Sequence, residues 1–246
     1  MTHVSVFSGI GGLDLAAEWA GFETVLQVEQ NPYALQVLEK HWPDVPRITD
    51  IREVYRNERW YRPTVLSGGF PCQPFSQAGK RGGQDDDRYL WPEMLRVIRE
   101  LSPTYVVAEN VSGLLSLNDG AEFELVCSDL EREGYEVLPF HYPAASVGAP
   151  HRRDRVFIIA HDTRFRGKGQ KSSRGARTSR QRRPCGKEDM QAILESPYRD
   201  STSWPKPLLR RGHDDFSSWV DRLKTIGNAV APEQAYPIFK VIAELS

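Results

Sequence analysis

The chain has 246 residues, 39% of them hydrophobic, and its 32 Lys and Arg nearly balance 33 Asp and Glu. That size can bury one full core with at most a small appended unit, and no apolar run is long enough to suggest a membrane span. Three cysteines, Cys72, Cys127 and Cys185, share no zinc-like spacing and leave one over, which argues against a disulfide framework and fits a reducing compartment.

Val4-Ser5-Val6-Phe7 follows the first three residues directly, so no signal peptide is expected and a cytoplasmic protein is. Strand 4–7 runs into Ser8-Gly9-Ile10-Gly11-Gly12 and then a helix over 13–20. Glycines there let the backbone approach a ligand at a helix N-terminus, although the spacing is not that of a dinucleotide site. A second strand, 24–28, ends at Glu29, where an acid can accept from ribose hydroxyls. After a helix over 31–41, Asp50 in Ile48-Thr49-Asp50-Ile51 is a third polar group suited to a purine amine. Each acid alone is more often a helix cap; in this order they suggest an adenosine-containing cofactor.

Strand 64–67 leads to Gly69-Phe70-Pro71-Cys72-Gln73-Pro74-Phe75-Ser76. A cysteine between two prolines, followed by polar and glycine-rich chain, is presented as a nucleophile would be, though a lone Pro-Cys is more often incidental. Loop 76–89 is polar and glycine-hinged, as a closing loop over a nucleic acid would be, and Lys80, Arg81 and Arg88 could reach phosphates. Asp85-Asp86-Asp87 reads as an acidic helix start before Pro92 more readily than as a metal site.

A helix over 90–101 precedes strand 104–108, which ends in Glu109-Asn110 and carries a carboxylate to the C-terminal edge of the sheet. Parallel neighbours bring such ends to one crevice, so Cys72 and Glu109 can meet over one substrate. Burial there would raise the carboxyl pKa and make it a proton donor; a helix cap or surface salt bridge is the plainer alternative. In helix 120–133, Phe123, Val126, Cys127 and Leu130 form one apolar face, which makes Cys127 a core residue. Strand 136–142 precedes Gly148-Ala149-Pro150-His151-Arg152-Arg153-Asp154-Arg155, which enters an apolar strand, 155–160. Arg153 and Arg155 share parity and should share a face with a carboxylate, phosphate or base edge, whereas Arg152 reads as a phosphate contact or solvated charge.

Residues 163–187 then hold ten Lys or Arg and no acid, leaving 22 basic against 33 acidic residues elsewhere. This run cannot form a core; it fits a polyanionic partner or a solvated loop equally well. Residues 188–222 regain some apolar content broken by prolines, and a final helix, 233–245, offers Ala235, Ile238, Phe239, Ile242 and Leu245 as a packing face.

Five segments in this order resemble the DNA (cytosine-5) methyltransferases: the Phe-Ser-Gly-Ile-Gly-Gly turn, Gly69 to Ser76, Glu109-Asn110-Val111, Arg153-Asp154-Arg155, and Thr225-Ile226-Gly227-Asn228-Ala229-Val230. The resemblance implies an α/β fold with a wound, mostly parallel Rossmann-like sheet and a short, irregular recognition insert. It implies a cofactor-binding and catalytic domain over 1–161, a basic target-recognition region over 162–221, and a return to the first domain over 222–246. The implied cofactor is S-adenosylmethionine, and the implied reaction is methylation of cytosine C5 in double-stranded DNA.

In that family's chemistry Cys72 would attack C6 of a flipped-out cytosine and Glu109 would protonate N3. Arg153 and Arg155 would hold the base. Phe7, Gly9, Gly11, Glu29 and Gln30 match cofactor-contact positions in the first half of the chain, and Asp50, Pro71, Leu90, Asn228 and Val230 match them further on. Gln30 stands where an aromatic or apolar residue on adenine is common, and His151 stands where a Gln is common. Gln73, Ser76, Lys80, Arg81, Arg88 and Arg152 match DNA-facing positions, and no metal is implied. The bottom-up chemistry agrees, because cytosine C5 is a poor nucleophile until a transient adduct forms at C6, and the base must leave the stack to be reached. The short insert predicts reliance on phosphate contacts and a short or relaxed target sequence. A monomer is expected, with a restriction endonuclease as functional counterpart. An RNA cytosine methyltransferase and a non-catalytic DNA-binding homologue are the alternatives.

Overall fold

The computed structural model describes residues 1–71, 89–149, 153–164 and 229–246. Its strands are β1 (Thr2–Val6), β2 (Glu23–Val28), β3 (Arg47–Ile48), β4 (Val65–Gly69), β5 (Tyr105–Val111), β6 (Tyr135–Pro143) and β7 (Asp154–Asp162). Among the described residues these form one sheet in the order β3-β2-β1-β4-β5-β7-β6. The first five positions are parallel, and β7 runs antiparallel to both β5 and β6. Among the described residues five α-helices accompany them: α1 (Gly12–Trp19), α2 (Pro32–His41), α3 (Trp91–Leu101), α4 (Ala121–Arg132) and α5 (Pro232–Leu245). The wound, mostly parallel α/β sheet expected from the sequence is therefore present.

Strand alternation divides the core into two layers. On one face Val4, Val6, Leu66, Val106 and Ala108 pack with Trp91, Met94 and Ile98 of α3 and Val126 and Leu130 of α4. On the other, Val65, Tyr105, Val107 and Phe157 pack with Leu13, Ala16 and Ala17 of α1 and Ala235, Ile238 and Phe239 of α5. Helix α3 shows why its sequence folds there: Leu90 precedes it, Pro92 falls in its first turn, and its buried residues recur at helical spacing up to Leu101. Cys127 lies half-buried against the first layer as expected. Leu245 departs from expectation: the packing face of α5 ends at Ile242, and Leu245 in the last turn is 68% exposed.

A row of polar side chains is buried within the α1/α5 face. Gln27, Ser5 and Ser67 lie in register across β2, β1 and β4. Ser5 Oγ donates to Asp14 Oδ2 at 2.8 Å, and Gln27 Nε2 donates to Asp14 Oδ1 at 2.9 Å. Two residues back on β1, His3 is hydrogen-bonded to Thr24 Oγ1 at 2.9 Å and Ser67 Oγ at 2.7 Å. Asp14 stands in the first turn of α1, whose Gly11 cap supplies no side chain, so this carboxylate ties the helix start to both strands that flank the turn.

Candidate active site

The carboxyl ends of β1, β2, β4 and β5 lie side by side, the edge at which open α/β sheets bind ligands. At the end of β1 the chain turns sharply, with Phe7 at φ 54° and Gly9 at φ 56°. Ser8 N–H donates to Val28 O at 3.0 Å, stitching the turn to β2. Glu29 then accepts from Gly9 N–H at 2.7 Å through one oxygen and from Asn31 N–H at 2.8 Å through the other. Each carboxylate oxygen keeps acceptor capacity after one such bond. A Cβ built on Gly9 meets nothing within 4 Å, so the turn is open on that side.

Gly11 and Gly12 are closed by comparison. A Cβ on Gly11 would lie 2.4 Å from the Trp42 ring, and one on Gly12 would lie 2.4 Å from Val230 O. The second contact joins the turn to the C-terminal segment by backbone, which cannot swing aside as a side chain can. Gly12→Ala is therefore expected to destabilise the protein by about 1–3 kcal/mol through overpacking, read as a lower Tm. An unchanged Tm would show that the Val230 segment yields freely.

The other expected cofactor-side residues are spread along the same edge. Gln30 is exposed beside Glu29. Asp50 lies two residues past β3 and caps the following turn, accepting from Arg52 N–H at 2.9 Å. Pro71 is partly buried, and Leu90 is buried at the start of α3.

Glu109 is placed by strand register. It pairs with Gly69 of β4 on one side and Phe157 of β7 on the other, and is 6% exposed. Arg155, two residues before Phe157 on the same face, sets its Nε 2.7 Å from Glu109 Oε1. The ions are close but poorly aligned, and Oε1 receives no well-directed hydrogen bond. Burial pushes the Glu109 carboxyl up to about 7, against the opposing pull of Arg155 and Arg153. The other oxygen, Oε2, faces Gly69, where a Cβ would stand only 3.0 Å away. Glycine at that position leaves Oε2 uncovered on the β4 side.

Arg153 reaches the same place differently from expectation. It precedes β7 and is not part of its alternation, and its φ is 36°, a left-handed conformation uncommon outside glycine. Its guanidinium donates to Ala229 O, and its charge acts on both Glu109 and Arg155. Asn110, on the opposite face of β5, donates from Nδ2 to Phe70 O at 2.9 Å and so ties β5 to the chain leaving β4.

Cys72, Gln73, Ser76, Lys80, Arg81, Arg88, His151, Arg152 and Asn228 lie outside the described residues, as do Asp85-Asp86-Asp87 and the basic run beyond Arg164. Three buried polar residues next to the site went unassigned in sequence: Asp14, Asn110 and Gln234. Asn110 had a signal in the Glu109-Asn110-Val111 segment; for Asp14 and Gln234 the signal is a polar side chain within an otherwise apolar face, which is weak when the partner is far along the chain.

Comparison with known proteins gives a consistent family. The model for C-5 cytosine-specific DNA methylases matches residues 1–210. The type II methyltransferase M.PspPI of Psychrobacter sp. is 40% identical over 159 residues, 63% of this chain and 38% of that protein. M.AquIA, a type II methyltransferase of Picosynechococcus sp., is 37% identical over 175 residues, 64% of this chain and 71% of the relative. The chain thus spans well under two thirds of the Psychrobacter protein. Among solved structures, an E. coli prophage protein assigned as a DNA modification methyltransferase superposes with a TM-score of 0.57 at 28% identity, over 66% of this chain and 47% of that one. DNMT2 of Spodoptera frugiperda shares the fold with a TM-score of 0.57 at 23% identity, over 70% of this chain and 53% of that one.

Proposed function

The chain belongs to the C-5 cytosine-specific DNA methylase family, and from that membership we propose that it transfers a methyl group from S-adenosylmethionine to C5 of cytosine in double-stranded DNA. The observation that carries the reading is Glu109: a buried carboxyl held up to about 7, beside two arginines, at the carboxyl edge of the sheet. A carboxyl of that kind is a proton donor at neutral pH.

The residues of the first turn fit an adenosine-bearing ligand. Gly9 leaves open space, and Glu29 offers acceptors to ribose hydroxyls while bracing the turn through Gly9 N–H and Asn31 N–H. Gln30, Asp50, Pro71, Leu90 and Val230 stand along the same edge and, with Phe7 and Gly11, make up the proposed cofactor side, to which Asn228 is assigned as well. When bound, S-adenosylmethionine supplies an electrophilic methyl group on a sulfonium.

On the base side, Cys72 adds through its thiolate to C6, and Glu109 donates a proton from Oε2 to N3, which drains electron density from the ring and favours that addition. The adduct makes C5 nucleophilic; after methylation the C5 proton leaves to a base, Cys72 is expelled as the thiolate and the N3 proton returns to Glu109. Arg155 lies against Oε1 and leaves Oε2 as the donor, and Arg153 adds positive charge where the base carbonyl lies. Gln73, Ser76, Lys80, Arg81, Arg88 and Arg152 are assigned to the DNA. Residues 1–161 form the catalytic unit in this reading and 162–221 the recognition region, and the packing of α5 on α1 supports a return of 222–246 to that unit. The type II relatives support a restriction endonuclease as counterpart; in this reading the methyltransferase acts as a monomer.

The test is transfer of labelled methyl from S-adenosylmethionine to unmethylated DNA, with conversion sequencing of the product. Label at cytosine C5 in a short or relaxed context is expected, with activity falling steeply as salt rises. Label in tRNA in preference to DNA would overturn the substrate, and cofactor binding with no transfer to either would overturn the reaction.

A further inference from the structure

Gln234 lies in the first turn of α5, fully buried, beside Ala235, Ile238 and Phe239 of the apolar α1/α5 layer. An apolar residue would fill that volume without desolvating an amide. Its Nε2 instead donates to Tyr142 O at 2.8 Å and to Arg153 O at 3.2 Å, at the paired ends of β6 and β7. Its Oε1 has no partner among the described residues, so the donor half of the amide is what the position uses.

The second acceptor matters because Arg153 holds a left-handed backbone conformation at φ 36°. Such a conformation in a non-glycine residue persists when its surroundings fix it. The C-terminal segment grips Arg153 twice, through Gln234 on its carbonyl and through Ala229 O on its guanidinium. That grip directs the guanidinium charge to Glu109 and Arg155.

We infer that Gln234 is a positioning residue: its amide fixes the strained backbone of Arg153 and thereby sets the charge around Glu109. The catalytic part of this inference rests on the methyl-transfer reading above; the effect on Glu109 itself does not.

A double-mutant cycle tests it in the full-length protein. Gln234→Met keeps the side-chain volume and removes the donor, with Gln234→Leu as a second variant, each made alone and with Arg153→Ala. The Glu109 carboxyl is followed by 13C NMR titration of labelled glutamate, assigned by the signal lost in Glu109→Gln. With Arg153 present, loss of the amide is expected to raise the Glu109 midpoint by roughly half to one pH unit, because a nearby positive charge moves away. Methyl transfer should lose about 10- to 100-fold in kcat with little change in KM for DNA. In the Arg153→Ala background the same change should move neither readout further.

Equal effects in both backgrounds, or an unmoved Glu109 midpoint in a folded Gln234→Met or Gln234→Leu protein, would overturn the assignment. A shifted midpoint in a protein that methylates neither DNA nor RNA would leave the positioning role standing and remove the proposed reaction instead.

Discussion

Glu109→Gln is expected to lower kcat for methyl transfer by about 10²–10⁴-fold while cofactor affinity stays within a factor of about two. The amide keeps the shape of the carboxyl and can still face Arg155, but it has no acidic proton to give. The pH profile sharpens the expectation. Burial raises the Glu109 carboxyl to about 7 even though Arg155 and Arg153 favour its ionised form. The neutral acid therefore predominates below that point and the carboxylate above it. Parent kcat/KM should decline as pH rises through about 7, and the Gln variant should lack that limb. A parent rate that holds level from roughly pH 6 to 9 would remove Glu109 as the proton donor.

Cys72→Ser is expected to abolish methyl transfer, with S-adenosylmethionine still bound. A serine hydroxyl ionises only at a very high pKa, whereas a thiol ionises near neutral pH and is intrinsically more nucleophilic. Without the adduct at C6 the C5 position stays too electron-poor to take the methyl group. The measurement is paired: calorimetric cofactor affinity, which should match the parent, and label transfer to DNA, which should fall to background. Residual transfer above about one hundredth of the parent rate would mean the adduct is not obligatory, and a lost affinity would place Cys72 in the cofactor site instead.

Much of the fold was legible because its elements are locally consistent. Strands β1, β4 and β5 are apolar runs bounded by glycine or polar turns, and α3 and α4 carry apolar residues at helical spacing, so their positions follow from period alone. Strand β3 has only two residues, Arg47 and Ile48, too few for any period to register. Leu245 fits the apolar spacing of α5 but stands exposed in its last turn, and spacing alone says nothing about cover. The site was legible as motifs and illegible as contacts. Glu109 and Arg155 could be matched to a family pattern, yet the diagonal pairing that joins them depends on an antiparallel register between β5 and β7. The bond from Gln234 to Arg153 spans 81 residues, and no local rule links them. Ser5 and Gln27 resemble ordinary strand residues in sequence, because a sheet covered on both faces erases the alternation that would mark them as buried.

The polar row beneath the glycine turn gives the sheet centre two opposed responses to acid. Burial holds the His3 imidazole down at about 3, so from pH 6.5 downward the unfolded chain takes up a proton that the folded protein refuses, and stability falls. Burial pushes the Asp14 carboxyl up to about 6, with Gln27 and Ser5 pulling the other way. Between about 6 and its ordinary 3.8 the folded protein is the form that holds this proton, and stability rises as the medium acidifies. Across that shared interval the uptake by Asp14 on folding offsets the release by His3, and the row as a whole exchanges few protons with solvent. Below it Asp14 is protonated in both states and the offset ends. Within the row His3 then erodes stability alone until its own ring is charged, so a fully buried histidine of the sheet joins ion pairs such as Asp162–Arg164 in weakening the fold in strong acid.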